Sequence, residues 1–121
     1  GALTLVLKRA DGVVDEISAG GDSVAIRVPN HPVPRAIVSQ LGTPITGTSA
    51  NRTGRPGLVT AEEVLREFGE ELDMIVDSPD LPSGLASTVL DLSTNVPRVI
   101  REGSVLWSDI ERVCKPRSII L

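Results

Sequence analysis

Between Val24 and Leu41 the chain changes from a strand into a helix within a few residues, and prolines mark the change. Val24-Ala25-Ile26-Arg27-Val28 is rich in β-branched and apolar residues, and Pro29 ends it because proline has no N–H to give a ladder. Pro34 then suits a first helical turn, Ile37, Val38 and Leu41 share one face, and Gly42 sits where a C-terminal cap belongs. A strand joined so tightly to an amphipathic helix commits the chain to a fold that mixes the two.

The remaining signals extend this pattern. Leu3 to Lys8 reads as a strand closed by the turn dipeptide Asp11-Gly12. Ile45 to Thr48 reads as a brief strand, and Ser49 to Val59 as a polar loop rich in Gly and Arg. Thr60-Ala61-Glu62-Glu63 is a capping box, so a helix is predicted from there to about Phe68 with Val64, Leu65 and Phe68 inward. Met74-Ile75-Val76, Thr88 to Leu92 and Val99-Ile100 read as strands, with a Pro/Gly loop from Ser78 to Ala86. Ser108-Asp109-Ile110-Glu111 reads as a second capping box that opens a last short helix before the apolar tail from Ser118 to Leu121. The early alternation predicts βαβ units and the later run of strands predicts antiparallel neighbours. The fold class is therefore α+β, a mixed sheet with helices packed on it.

Composition narrows the function. At 121 residues, 40% hydrophobic and 23% charged, the chain is one globular domain's worth. A single cysteine, Cys114, cannot form an internal bridge, which fits a reducing cytoplasm. No apolar run approaches the roughly 20 residues that cross a bilayer. The net charge of -4 argues against a broad surface for a phosphate backbone, and Phe68 and Trp107 are the only aromatics available to stack on bases. A small polar ligand fits better. The chain opens Gly1-Ala2-Leu3 with no Met and enters a strand almost at once, so a fragment is expected, the alternative being a whole protein trimmed of a tag.

The usual catalytic groupings are missing. His31 is the sole histidine and reads as a turn residue against the alternative of a base. Cys114 reads as a small buried side chain rather than a nucleophile. Ser49 lacks the Gly-x-Ser-x-Gly frame of a nucleophile elbow. The acidic pairs Glu62-Glu63 and Glu70-Glu71 read as solvated helix faces. What remains is a set of hydroxyl, amide and guanidinium groups at strand ends. Thr48-Ser49-Ala50-Asn51 enters the Gly54/Gly57 loop and could surround an anion or form a plain turn. Arg27 could grip a carboxylate or phosphate in bidentate fashion or be an exposed edge charge. Ser87-Thr88 opens one strand and Arg101-Glu102-Gly103 ends another.

Taken in order, five blocks carry a family pattern: Leu3 to Lys8, Val24 to Pro32, Pro44 to Gly54 with Thr48-Ser49-Ala50-Asn51, Ser87 to Asp91, and Val99 to Gly103. The chain resembles the C-terminal portion of the YrdC-like domain of threonylcarbamoyl-AMP synthases. The resemblance implies a partial YrdC-like domain over 1–121, with its core at 1–103 and a C-terminal helix and tail at 104–121. It implies a twisted mixed sheet around a positively lined cleft and the joining of L-threonine, bicarbonate and ATP into threonylcarbamoyl-AMP and pyrophosphate, with Mg2+ accompanying the nucleotide. No protein nucleophile is implied, since positioning and charge neutralisation suffice. A downstream tRNA threonylcarbamoyl-transfer enzyme is the implied partner, and a weak contact with tRNA or double-stranded RNA is left open.

By position, the resemblance gives Arg27 the threonine carboxylate and places Gly47 and Ser87 in the threonine or carbamate pocket. It turns Ser23, Ser49, Gly57 and Arg101 toward ATP, with Asn51 and Thr48 supporting the loop. Three departures stand out. The family's preceding segment, with a basic Lys-x-Arg motif, would lie before Gly1, which leaves open whether the chain alone is active. Gly57-Leu58-Val59-Thr60 replaces the usual Ser-Pro-Thr type of loop ending. The extra domain of longer members is expected to be missing here, with only about 18 residues following Gly103. The alternatives are the related carbamoyltransferase domain of hydrogenase maturation proteins and a nonenzymatic RNA-binding module.

Overall fold

The computed structural model describes residues 1–78 and 86–114. The chain divides into two units, residues 1–45 with 86–121 and residues 46–85. The first holds a sheet of four strands in the order β2-β1-β3-β4. β1 (Leu3–Lys8) and β2 (Ser23–Arg27) pair antiparallel, β1 and β3 (Thr88–Asp91) pair parallel, and β3 and β4 (Arg98–Arg101) pair antiparallel. The sheet is thus mixed, as expected, although its parallel pair joins strands far apart in sequence and the early strands meet antiparallel. A short helix that the sequence reading did not include, α1 (Asp15–Ser18), lies between β1 and β2.

Register sorts the side chains into two faces, because successive residues of a strand point to opposite sides. Leu3, Leu5 and Leu7 fall with Val24, Ile26, Thr88, Leu90 and Val99 on one face. Leu90 and Ile110 are the buried apolar residues among those described, and Thr88 is fully buried. The opposite face carries Thr4, Val6 and Lys8, then Ser23, Ala25 and Arg27, then Val89 and Asp91, and finally Arg98 and Arg101. One step on β3, from Val89 to Leu90, spans two on β4, from Arg101 to Val99, so Ile100 is an extra residue at a bulge. The bulge keeps Arg98 and Arg101 on the same face although three positions separate them.

α2 (Pro32–Leu41) begins and ends as the prolines and Gly42 predict: Gly42 takes a φ of +68° and its N–H donates to the Val38 carbonyl. His31 is its N-cap, Nδ1 accepting from the Val33 N–H at 3.2 Å. His31 thus caps the helix where the chain turns from β2 into α2.

In the second unit, α3 (Ala61–Phe68) carries the predicted capping box and runs into a 3-10 turn (Gly69–Glu71). Val64 and Phe68 are half-buried as expected, but Leu65 is exposed. Two strand expectations are corrected. Ile45 to Thr48 and Met74 to Val76 form no ladder with any described residue. Pro44 gives no donor at the start of the first, and the second is only three apolar residues long without a neighbour to pair with. The second capping box is also corrected: α4 (Trp107–Cys114) starts before Ser108, and the Trp107 N–H donates to Glu102 Oε1 at 3.2 Å. The Ser78 to Ala86 loop falls largely outside the described residues, and the apolar tail entirely so.

Candidate functional site

Four strands bring four polar side chains to one end of the polar sheet face. Thr4 of β1 is in register with Arg27 of β2. On its other side the Thr4 hydroxyl lies 2.8 Å from that of Ser87, just before β3. Arg101 of β4 reaches back to the same serine: Nε and Nη2 donate to the Ser87 carbonyl at 3.2 and 2.8 Å, and Nη2 lies 3.3 Å from Ser87 Oγ. Arg27 donates through Nε to the Gly1 carbonyl at 2.9 Å, and its two terminal amino groups have no partner among the described residues. A guanidinium steadied at Nε with both terminal groups available is suited to a planar carboxylate.

Ser87 is held from beneath. The Thr88 hydroxyl donates to the Val105 carbonyl at 2.5 Å and accepts from the Gly103 and Val105 N–H groups at 2.9 and 3.1 Å. Gly103 presses on the backbone here: a Cβ would lie 2.7 Å from the Ser87 carbonyl carbon and 2.8 Å from the Thr88 nitrogen. The Arg101-Glu102-Gly103 motif therefore serves Ser87 twice, through the Arg101 side chain and the close Gly103 backbone.

Ser23 lies at the far end of β2 on the same face, in register with Lys8. A cavity of about 700 Å³ opens there, lined among others by Lys8, Arg9, Ser23, Ser93 and Thr94. Nearby Asp91 accepts from the Ser93 hydroxyl and N–H at 2.6 and 2.9 Å, bonds that hold its carboxyl below the ordinary range, with Arg98 adding to the effect.

The remaining expected residues belong to the second unit. The loop after Thr46 is closed by the Leu58 N–H donating to the Ala50 carbonyl at 2.8 Å, and it turns at Gly54 with a φ of +79°. Gly57 sits beside Ser49, where an added Cβ would meet the serine Cβ at 3.7 Å. Asn51 donates to the Arg52 carbonyl at 3.0 Å. Gly47 and Thr48 are exposed on the stretch leading in. Arg52 ties this loop to α3, donating to Glu67 at 2.9 Å and Glu71 at 2.5 Å with its guanidinium 4.9 Å from the Phe68 ring centroid. Glu63 accepts from the Val59 and Thr60 N–H groups, which holds its carboxyl below the usual range.

The structure thus brings Arg27, Ser87 and Arg101 together, leaves Ser23 at the other end of their face, and sets Ser49 beside Gly57. Sequence reasoning did not single out Thr4, Lys8 or Arg52. The first two looked like ordinary strand positions, and only register shows which face they share. Among the described residues, no group of three or more His, Cys, Asp or Glu could hold a metal ion, and no helix is long and apolar enough to cross a membrane.

The family model for Sua5, YciO and YrdC proteins, described as telomere recombination, matches residues 1–103. The chain belongs to the Sua5/YciO/YrdC family. A threonylcarbamoyl-AMP synthase of Bacillus subtilis is 37% identical over 117 residues, which cover 96% of this chain and 34% of that protein. Pyrococcus abyssi Sua5, solved in complex with L-threonine, superposes with a TM-score of 0.86 at 34% identity, covering 93% of this chain and 33% of that one. Escherichia coli YciO gives a TM-score of 0.75 at 27% identity over 86% of this chain and 51% of its own. The chain thus spans about a third of the length of the first two relatives. The mixed α+β fold is that of the Sua5/YciO/YrdC family.

Proposed function

We propose that this chain supplies part of the substrate-binding face of a threonylcarbamoyl-AMP synthase. The observation that carries the reading is the row Arg27, Thr4, Ser87 and Arg101 at one end of one sheet face. It offers the Arg27 guanidinium and two hydroxyls to a small, doubly functional anion, with Arg101 bonded to Ser87 beside them. L-threonine and its N-carboxylated form are such ligands, and the relative solved with L-threonine supports the choice.

In this reading Arg27 binds the threonine carboxylate and Ser87 contacts the amino acid and its carbamate; the family resemblance adds Gly47 of the second unit to the threonine contacts. The threonine amine attacks the bicarbonate carbon and, with loss of water, forms the N–C bond. A carbamate oxygen then attacks the α-phosphorus of ATP, and the bond to pyrophosphate breaks. Arg101 and Ser23 face the nucleotide, and the family resemblance adds Ser49 and Gly57 of the second unit, with Asn51 and Thr48 supporting their loop. The cavity beside Ser23 is lined by Asp11 and Asp22 as well as Lys8 and Arg9, and Arg9 is paired with Asp15, so Lys8 and the Ser23 hydroxyl are what it offers to phosphate oxygens. Neither step needs a protein nucleophile, because alignment and charge neutralisation carry both. Mg2+ enters as the companion of the ATP phosphates. The product is an activated carbamate for a downstream transferase that modifies tRNA, in the cytoplasm.

The test is pyrophosphate release by the full-length protein given Mg-ATP, bicarbonate and L-threonine. Release that depends on both threonine and bicarbonate, with threonylcarbamoyl-AMP seen by mass spectrometry, is the expected result. Release indifferent to threonine would overturn it. An affinity for RNA that exceeds nucleotide affinity and falls steeply with salt would favour a binding module instead.

A further inference from the structure

We infer that Thr4 is a positioning residue for threonine recognition, acting through Ser87; the inference rests on the synthase reading above. Thr4 stands at the centre of the polar row, in register with Arg27 on one side and hydrogen-bonded to Ser87 on the other. Ser87 is only 7% exposed and belongs to a crowded group. Its hydroxyl lies 3.3 Å from Arg101 Nη2, whose N–H can only donate, and 2.8 Å from the Thr4 hydroxyl.

Counting protons gives the consequence. Thr4 and Ser87 hold two hydroxyl protons, and the single bond between them uses one. If Thr4 donates, the Ser87 proton remains; if Ser87 donates, the Thr4 proton remains. In either case the pair keeps one O–H donor on the face that carries the Arg27 guanidinium. A carboxylate accepts at both oxygens, so an anion held by Arg27 finds a second donor in this pair. Thr4 suits the task because a β-branched side chain in a strand has few χ1 choices, and its hydroxyl stays aimed across the sheet at Ser87. Removing the hydroxyl leaves Ser87 to turn freely between Arg101 and the ligand.

The experiment compares Thr4→Val, which keeps the shape and loses the hydroxyl, with Thr4→Ser, which keeps the hydroxyl, in the full-length protein. Steady-state pyrophosphate release is measured with L-threonine and ATP varied separately. Thr4→Val should raise the KM for L-threonine by about 5- to 10-fold and change the KM for ATP less than about twofold, the size of one hydrogen bond lost to a ligand. Thr4→Ser should restore the threonine KM to within about twofold. An unchanged threonine KM in Thr4→Val, equal losses for both substrates, or a Thr4→Ser as impaired as Thr4→Val would each overturn the inference while leaving the synthase reading intact. A wild-type protein with no threonine-dependent release would overturn both. If Thr4→Val does not fold, Thr4→Ala, which also removes the hydroxyl, replaces it, with the same expected and overturning results.

Discussion

The Gly103 N–H donates to the hydroxyl of fully buried Thr88 at 2.9 Å, and this contact holds the end of β4 against the start of β3. It exists because Gly103 has no side chain. A Cβ there would press into backbone atoms of residues 86 to 88, which cannot move aside as a flexible side chain could. The approach also sets Ser87, whose carbonyl takes both Arg101 donors.

Gly103→Ala should therefore lose stability by about 2–3 kcal/mol, in the range of overpacked core sites. Thr88→Val should cost a similar amount, about 2–4 kcal/mol, because it leaves the Gly103 and Val105 N–H groups without their acceptor. Urea unfolding of each variant checks both. Gly103→Ala with wild-type stability would show that the backbone contact is not a constraint.

Arg27→Ala should weaken L-threonine binding more than ATP binding, because its free amino groups lie at the Thr4 and Ser87 end of the face while Ser23 lies at the other. A loss of about 2–3 kcal/mol for threonine is expected from removing a charge-assisted pair. Arg27→Lys should recover only part of it, since an ammonium cannot make the fork. Calorimetric titration with each ligand separates the two, and equal losses would contradict the assignment.

Glu63 gives a pH prediction. The Val59 N–H, then the Thr60 hydroxyl and N–H, lower its folded pKa below the unfolded value. A depressed carboxyl contributes stability above the unfolded pKa, near about 4.3 for glutamate, and loses it as pH falls through the folded pKa. Glu63→Gln should thus be less stable than wild type at neutral pH, with the gap closing below about pH 4. Denaturation midpoints from pH 3 to 7 check this, and a gap that is constant or widens toward acid would contradict the sign.

Local chemistry made much of this fold legible. Thr60 and Glu63 satisfy each other's backbone within one turn, and Gly42 ends α2 with its own φ, so both helices could be read from neighbouring residues. Ile45 to Thr48 and Met74 to Val76 misled because a strand needs a partner, which no local pattern supplies. Leu65 misled because helical spacing says which residues share a face and not what covers that face.

The sequence by itself determined the residue types, the caps of α2 and α3, the approximate limits of the four strands and the family motif blocks from Leu3 to Gly103. Tertiary structure alone decided that Thr4 meets Ser87 across 83 positions of separation, that a bulge at Ile100 returns Arg101 to the face of Arg27, and that Gly103 touches the backbone before β3. The reason is physical: caps and turns are settled among neighbours a few residues apart, while strand register is fixed by pairing between distant segments.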